Sequence, residues 1–242
     1  DHSSTILFCP SNVAIENLAN EGFGNIYNNG VLVSPDCISG VNNVSSFKAS
    51  KSNPFVINVG DVMYDVLLNS VEIADKKSDI LNELQLTEKE YYLLTLHRAE
   101  NTDREEVFEQ IVMFVNKVSK GKTVIFPMHP RTRKTYGNVA VKFNDSVKIV
   151  EPQGYYDMIE LLRNCLKIMT DSGGMQKEAF WLKVPCITLR EQTEWVETVL
   201  SGWNILYEDY EGSHKPLNKY ELCYGDGKAA DRITNLVCKM VK

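Results

Sequence analysis

The stretch best suited to chemistry is Thr170-Asp171-Ser172-Gly173-Gly174-Met175-Gln176-Lys177-Glu178, directly after the apolar run Leu166–Met169. It reads as a buried strand, a Ser-Gly-Gly turn and the start of a helix. A helix N-terminus presents free backbone N–H groups and the positive end of the macrodipole, so this arrangement suits a phosphate. Gly173 and Gly174 let the backbone approach an anion with no Cβ in the way. An ordinary strand-to-helix turn is the other reading of the same residues. Glu178, in the first turns of the helix, either compensates the dipole or accepts hydrogen bonds from a ribose diol. Gln176 and Lys177 are expected to be solvated.

Four other turns carry polar groups. His97 and Arg98 follow the strand candidate Tyr91–Leu96. Arg98 suits bidentate contact with phosphate, and His97 suits donation of a hydrogen bond or a proton. The alternative is a capping and salt-bridge cluster with Glu100 or Asp103. His129-Pro130-Arg131-Thr132-Arg133-Lys134 is locally basic; either it helps hold a diphosphate, or Pro130 opens a helix whose charges face solvent. Arg190 and Glu194, after the strand candidate Cys186–Leu189, would reach the same ligand, while Thr193 would cap a helix Glu194–Leu200. Met158, after Glu151-Pro152-Gln153-Gly154-Tyr155-Tyr156-Asp157, either covers a nucleobase or packs in the core.

These turns need a frame, and from residue 90 onward the pattern supplies one. Strand candidates are Tyr91–Leu96, Thr123–Met128, Val147–Val150, Leu166–Thr170, Cys186–Leu189 and Asn204–Tyr207. Helical patterns separate most of them: Arg104–Ser119, Arg131–Phe143, Tyr155–Arg163, Gly174–Lys183 and Glu194–Leu200. Short apolar strands alternating with amphipathic helices predict an α/β fold, a doubly wound parallel sheet covered on both faces. In the common order 3-2-1-4-5-6 the first and fourth of these strands are neighbours, and ligands bind beyond their carboxyl ends. That order would bring His97-Arg98 opposite Ser172-Gly173-Gly174. Ahead of this frame lie a strand Ile6–Cys9, a helix capped by Ser11 and ended by Gly22, a strand Val56–Val59 and a helix Asp61–Ile73. Residues 24–55 are rich in Ser, Asn, Gly and Pro and read as a surface loop or insertion with a short strand at Val31–Val33, or as a disordered linker. A helix from Gly227 to Val241 closes the chain.

The 242 residues, 43% hydrophobic and 24% charged, bound the chain as globular, with one large or two small domains. A formal net charge of −6 argues against a general nucleic-acid surface, so any anion must be held by a few placed donors. No apolar run is long enough for a membrane span. The six cysteines show no CxxC pair and the four histidines do not cluster, so no metal or cofactor is expected and a reducing cytoplasm is the expected location. The start at Asp1, which runs at once into a strand, suggests the middle of something larger.

Taken in order, the turns resemble the UDP-N-acetylglucosamine 2-epimerase family, most closely its non-hydrolysing branch. The resemblance rests on Leu94-Thr95-Leu96-His97-Arg98-Ala99-Glu100-Asn101, His129-Pro130-Arg131-Thr132, Glu151-Pro152, Thr170 to Glu178, Leu189-Arg190-Glu191-Gln192-Thr193-Glu194-Trp195 and Tyr224-Gly225-Asp226-Gly227-Lys228-Ala229-Ala230. It covers residues 1–23 and most of the chain from 56 onward. It implies a GT-B-like two-domain fold of which this chain is the C-terminal, UDP-binding half. Residues 1–23 would then be a remnant of the inter-domain region, 56–225 the Rossmann-like domain and 226–242 the closing helix. By resemblance, Ser172, Gly173 and Gly174 bind the diphosphate with His97 nearby, as phosphate contact or acid, and with Arg98. Glu178 takes the ribose, Arg190 and Glu194 line the crevice, and Met158 stands where members often stack an aromatic ring on uracil. The implied reaction is loss of UDP across C1–C2 to give a 2-acetamidoglucal, followed by proton return and re-addition as UDP-N-acetylmannosamine. Its carboxylates come largely from the first domain, so the chain alone is expected to be inactive. The implied partners are UDP-N-acetylglucosamine or UDP, the first domain in cis or in trans, and a second copy in a homodimer. A non-catalytic UDP-sugar-binding module and a GT-B glycosyltransferase donor domain are the alternatives.

Overall fold

A computed structural model describes residues 1–34, 49–214, 216 and 223–240. They form two compact units, Asp1–Asn69 with Glu221–Lys242, and Ser70–Tyr220. In chain order the first unit begins with β1 (Ile6–Cys9), α1 (Asn12–Asn20) and β2 (Phe55–Asn58), and α2 (Val62–Lys77) contributes residues to both. The second unit continues with α3 (Ile80–Glu83), β3 (Tyr91–Thr95), α4 (Ala99–Thr102), α5 (Glu105–Val118), β4 (Thr123–Pro127), α6 (Pro130–Asn138) and β5 (Val147–Val150). It is completed by α7 (Tyr155–Asn164), β6 (Lys167–Thr170), α8 (Gly173–Trp181), β7 (Cys186–Thr188), α9 (Val196–Leu200) and β8 (Asn204–Leu206). Helix α10 (Ala229–Met240) belongs to the first unit.

The second unit is a six-stranded parallel sheet in the order β5-β4-β3-β6-β7-β8. Numbered from β3 this is 3-2-1-4-5-6, the expected doubly wound order. Side chains alternate across its strands. Tyr91 and Leu93 of β3, Ile125 of β4 and Ile168 of β6 pack with Leu161, Leu162 and Ala179 of α7 and α8. Leu94, Phe126 and Met169 point the other way, onto Phe108, Ile111, Val112 and Val115 of α5. The inner strands β3, β4 and β6 are therefore buried on both sides, which is why they read as apolar runs. The register puts Thr95 level with Thr170, and Thr170 level with Thr188, so β3, β6 and β7 end side by side.

In the first unit β1 and β2 pair in parallel, from Ile6 with Phe55 to Cys9 with Asn58. Ser11 caps α1 by accepting from the Ala14 N–H, and Gly22 leaves the helix at φ 95°, both as expected. β2 belongs with the N-terminal residues, β1 being its ladder partner. Val31–Val33 forms no strand: one bond, from the Val33 N–H to the Asn58 carbonyl, does not make a ladder. Residues 35–48 of the expected loop, with Cys37, and Val241 of the expected last helix lie outside the described residues. Helix α6 stops at Asn138, short of Phe143, because Phe143 instead stacks on Tyr136 with centroids 5.2 Å apart. Among the described residues no helix is long and apolar enough to cross a membrane.

Arg232 of α10 is 1% exposed. Its guanidinium donates to the Val33 carbonyl at 2.6 Å and the Val59 carbonyl at 3.3 Å, and grips Asp226 through bonds of 2.7 and 2.9 Å. The Asp226 carboxyl is held below its ordinary range, chiefly by the Arg232 hydrogen bonds. The stability this pair supplies is thus present above the ordinary carboxylate range and is lost as pH falls through the lowered value. Arg232→Ala is expected to destabilise the first unit by ~1–3 kcal/mol, since it leaves the Val33 and Val59 carbonyls without their donor while the exposed Asp226 carboxylate can turn to water. Thermal unfolding of the purified variant would check this, and a melting curve matching wild type would refute it.

Candidate functional site

The residues singled out after β3, β6 and β7 meet around Asp171. This side chain is 0% exposed, and its carboxylate accepts from the backbone N–H groups of His97 at 3.0 Å and Arg98 at 2.8 Å. The Asn101 side-chain amide donates to it at 3.2 Å and to the Leu189 carbonyl at 2.9 Å. One buried anion thereby binds the turn after β3 to the end of β6, and through Asn101 to the end of β7. Beneath it the Thr95 and Thr170 hydroxyls share a 2.6 Å hydrogen bond, and Thr170 Oγ1 accepts from the Ser172 N–H at 3.0 Å. Ser172 is the N-cap of α8 and accepts from the Met175 N–H. The strand, turn and capped helix start expected of the Ser-Gly-Gly stretch are present, with the glycines in the first helical positions.

Gly173 is required by its neighbours. A Cβ there would lie 2.7 Å from Glu194 Oε1, 3.0 Å from Trp195 Nε1 and 3.3 Å from Arg98 Nη2. Three side chains from two other turns converge on this one residue. Two of them, Glu194 and Arg98, belong to a chain of alternating charges: Glu100 to Arg190 at 3.0 Å, Arg190 to Glu194 at 2.7 Å, and Glu194 to Arg98 at 3.7 Å. Burial alone would raise the Glu194 carboxyl, but its own backbone N–H, Arg190 and Arg98 outweigh it and hold the group below its ordinary range. Gly174 is exposed beside this cluster.

Next to the turn lies an open cleft of about 290 Å³ lined by His97, His129, Pro152, Gln153, Met158 and Met175. Met158 thus joins His97 at a common, mostly apolar wall. Glu178 sits one turn further along α8, half-buried, and accepts from the Tyr155 hydroxyl at 3.2 Å. Burial pushes its carboxyl above the ordinary range, and that carboxylate in turn helps burial push the Tyr155 phenol up to about 12.

Several expectations are corrected. Gln176 and Lys177 are buried, not solvated, because α8 is enclosed on nearly all sides. Gln176 Oε1 accepts from the Thr193 hydroxyl at 2.6 Å, and the Lys177 ammonium lies 4.1 Å from the Trp195 ring centroid. Thr193 does not cap a helix; α9 begins at Val196, and Thr193 instead accepts from the Trp195 N–H. Arg98 pairs with Glu194, while Glu100 and Asp103 pair with Arg190 and Arg131. Pro130 does open α6, and Arg131 and Arg133 are taken by the exposed carboxylates Asp103 and Glu151. The sequence reading assigned no role to Asp171 or Asn101. The signal was a carboxylate ending an apolar strand, since an unpaired charge is seldom placed there.

The UDP-N-acetylglucosamine 2-epimerase family model matches residues 1–238. A "UDP-N-acetylglucosamine 2-epimerase homolog" of Methanococcus maripaludis is 41% identical across 98% of this chain and 61% of its own length. The UDP-2,3-diacetamido-2,3-dideoxy-D-glucuronate 2-epimerase of Pseudomonas aeruginosa is 36% identical across 99% of this chain and 61% of its own length. The solved UDP-GlcNAc 2-epimerase of Methanocaldococcus jannaschii, in complex with UDP-GlcNAc and UDP, superposes with a TM-score of 0.74 at 33% identity, over 98% of this chain and 62% of that one. This chain therefore spans about three fifths of the relatives it matches.

Asp171→Ala would leave two backbone N–H groups without an acceptor, at ~1–3 kcal/mol each, and remove one of the two bonds made by the Asn101 amide. A loss of about 3 kcal/mol or more is expected by denaturant unfolding, with a smaller loss for Asp171→Asn, which keeps one acceptor oxygen. Equal stability of the Ala variant and wild type would count against this role.

Proposed function

This chain belongs to the UDP-N-acetylglucosamine 2-epimerase family, and on that premise we propose that it supplies the UDP-binding half of an enzyme interconverting UDP-N-acetylglucosamine and UDP-N-acetylmannosamine. The observation that carries the reading is the convergence of Arg98, Glu194 and the capped N-terminus of α8 on Gly173. The substrates named for the two quoted relatives share UDP joined to a 2-acetamido sugar, and this is the ligand class proposed here. The diphosphate would lie on Ser172, Gly173 and Gly174, where helix N–H groups and the dipole favour negative charge. The longest link in the charge chain is Arg98 to Glu194, so Arg98 is the cation a phosphate can most readily take over. Met158 and its cleft would receive the uracil, Glu178 the ribose, and Arg190 and Glu194 the rim of the diphosphate. His97, half-exposed at the cleft with its backbone fixed by Asp171, would contact phosphate or pass a proton to it.

In elimination across C1–C2 the departing diphosphate gains charge. Groups that meet that charge as it develops lower the barrier, and this half of the enzyme would supply them. Removal and return of the C2 proton needs acid/base groups on both faces of the sugar. These are proposed to come from the part of the relatives that this chain does not span, in cis or in trans. All the candidate residues lie in the unit Ser70–Tyr220, which is proposed as the nucleotide-holding body. The buried thiols of Cys165 and Cys186, each pushed up to about 12 by burial, fit a cytoplasmic setting.

Titration calorimetry with UDP is expected to show binding by the chain. Glu178→Ala should weaken it by about tenfold, the worth of a hydrogen bond to a charged group. Ser172→Ala should weaken it and also cost ~1 kcal/mol of stability through the lost cap. UDP-N-acetylmannosamine should form only once a first domain of a relative is added. Absence of UDP binding would sink the reading.

A further inference from the structure

We infer that Tyr155 is the positioning residue that lets Glu178 discriminate for a ribose diol, by engaging one carboxylate oxygen and leaving the other for the nucleotide. This rests on the proposed role of Glu178 as the ribose acceptor and adds to it the element that sets its selectivity.

Tyr155 is the first residue of α7, and Glu178 lies in α8, 23 residues later. The phenol donates to Oε1 at 3.2 Å, the one hydrogen bond to this carboxylate among the described residues. The buried Ser70 hydroxyl of α2 lies near the same phenol and acts against the rise in its pKa. A free glutamate has three rotatable bonds, and fixing them on binding costs entropy that a pre-pinned side chain has already lost. A half-buried carboxylate also tends toward its protonated form, which could donate to the ribose but would accept poorly. The Tyr155 bond opposes that tendency by favouring the charged form. With Oε1 occupied, Oε2 keeps its lone pairs for an incoming diol. Tyr155 is 44% exposed, so its ring borders the open side of the site rather than the core. A ring there could instead lie against the nucleobase, and the two roles differ in what they require: stacking needs the ring, and orientation of Glu178 needs the hydroxyl.

The experiment compares UDP with 2′,3′-dideoxy-UDP by calorimetry on the full chain and on its Tyr155→Phe and Glu178→Gln variants. Wild type is expected to favour UDP, and Glu178→Gln to reduce that preference to near unity. Tyr155→Phe keeps the ring and is expected to reduce the preference by about threefold or more, while affinity for the dideoxy ligand changes less than about twofold. A preference that collapses in Glu178→Gln but stays at its wild-type value in Tyr155→Phe overturns the inference and leaves the ribose reading standing. An unchanged preference in Glu178→Gln removes the ribose reading, and the inference with it. Parallel loss of affinity for both ligands in Tyr155→Phe marks a general effect of the hydroxyl on the fold or the site and likewise overturns it.

Discussion

A carboxylate withdrawn from water has to be met by donors on every side, and Asp171 is such a group. Its donors are the backbone N–H groups of His97 and Arg98 and the Asn101 amide, all from the turn after β3. They can reach it only if β3 and β6 end level with each other, and Asn101 can also reach the Leu189 carbonyl only if β7 ends there too. The interaction therefore sets the relative height of three strand ends to within the tolerance of a hydrogen bond. From that level base the His97 and Arg98 side chains project, and Ser172 and Gly173 begin α8. Everything at the candidate site is hung from this one anion.

Above the buried base the charges behave differently. Glu100, Arg190, Glu194 and Arg98 form a line of pairs, most of its side chains partly exposed. Such pairs add little to stability. The use proposed for them is exchange: an arginine in a line of this kind can trade a carboxylate for a phosphate without ever standing unpaired. Gly173 allows this line to lie directly on the helix N-terminus, and a side chain there would force the Glu194 carboxylate away. Glu178 is in an intermediate setting, half-buried and tied to Tyr155, where burial and a hydrogen bond act on its charge in opposite senses. The same short helix thus presents its glycine-lined N-terminus at its start and a carboxylate further along.

Much of this was legible in the residues. The inner strands of the large sheet are short apolar runs because both faces of each are buried, and their order is the common doubly wound one that the alternation with helices suggests. The Ser-Gly-Gly turn announced a cap and a close backbone approach. What misled was local polarity. Gln176 and Lys177 look like surface residues, yet Thr193, Trp181 and Trp195 close over them. Thr193 looks like a cap, yet its hydroxyl is engaged by α8. Arg98 has acidic residues close by in sequence and pairs with one 96 positions away, Glu194. A polar side chain near a turn has several partners within reach, and packing selects among them.

The sequence by itself determined the alternating α/β plan, the glycine-rich turn at a helix start and the motifs that mark the family, because each depends on periodicity or on neighbours a few residues apart. The tertiary structure alone decided what Asp171 does, which carboxylate Arg98 and Arg190 meet, and that Tyr155 holds Glu178. Apart from Arg190 with Glu194, four positions on, these are contacts across 23 to 96 positions of chain, such as Asn101 with Leu189 at 88. They exist only once β6 lies between β3 and β7, so their energies belong to the assembled sheet and to no single segment.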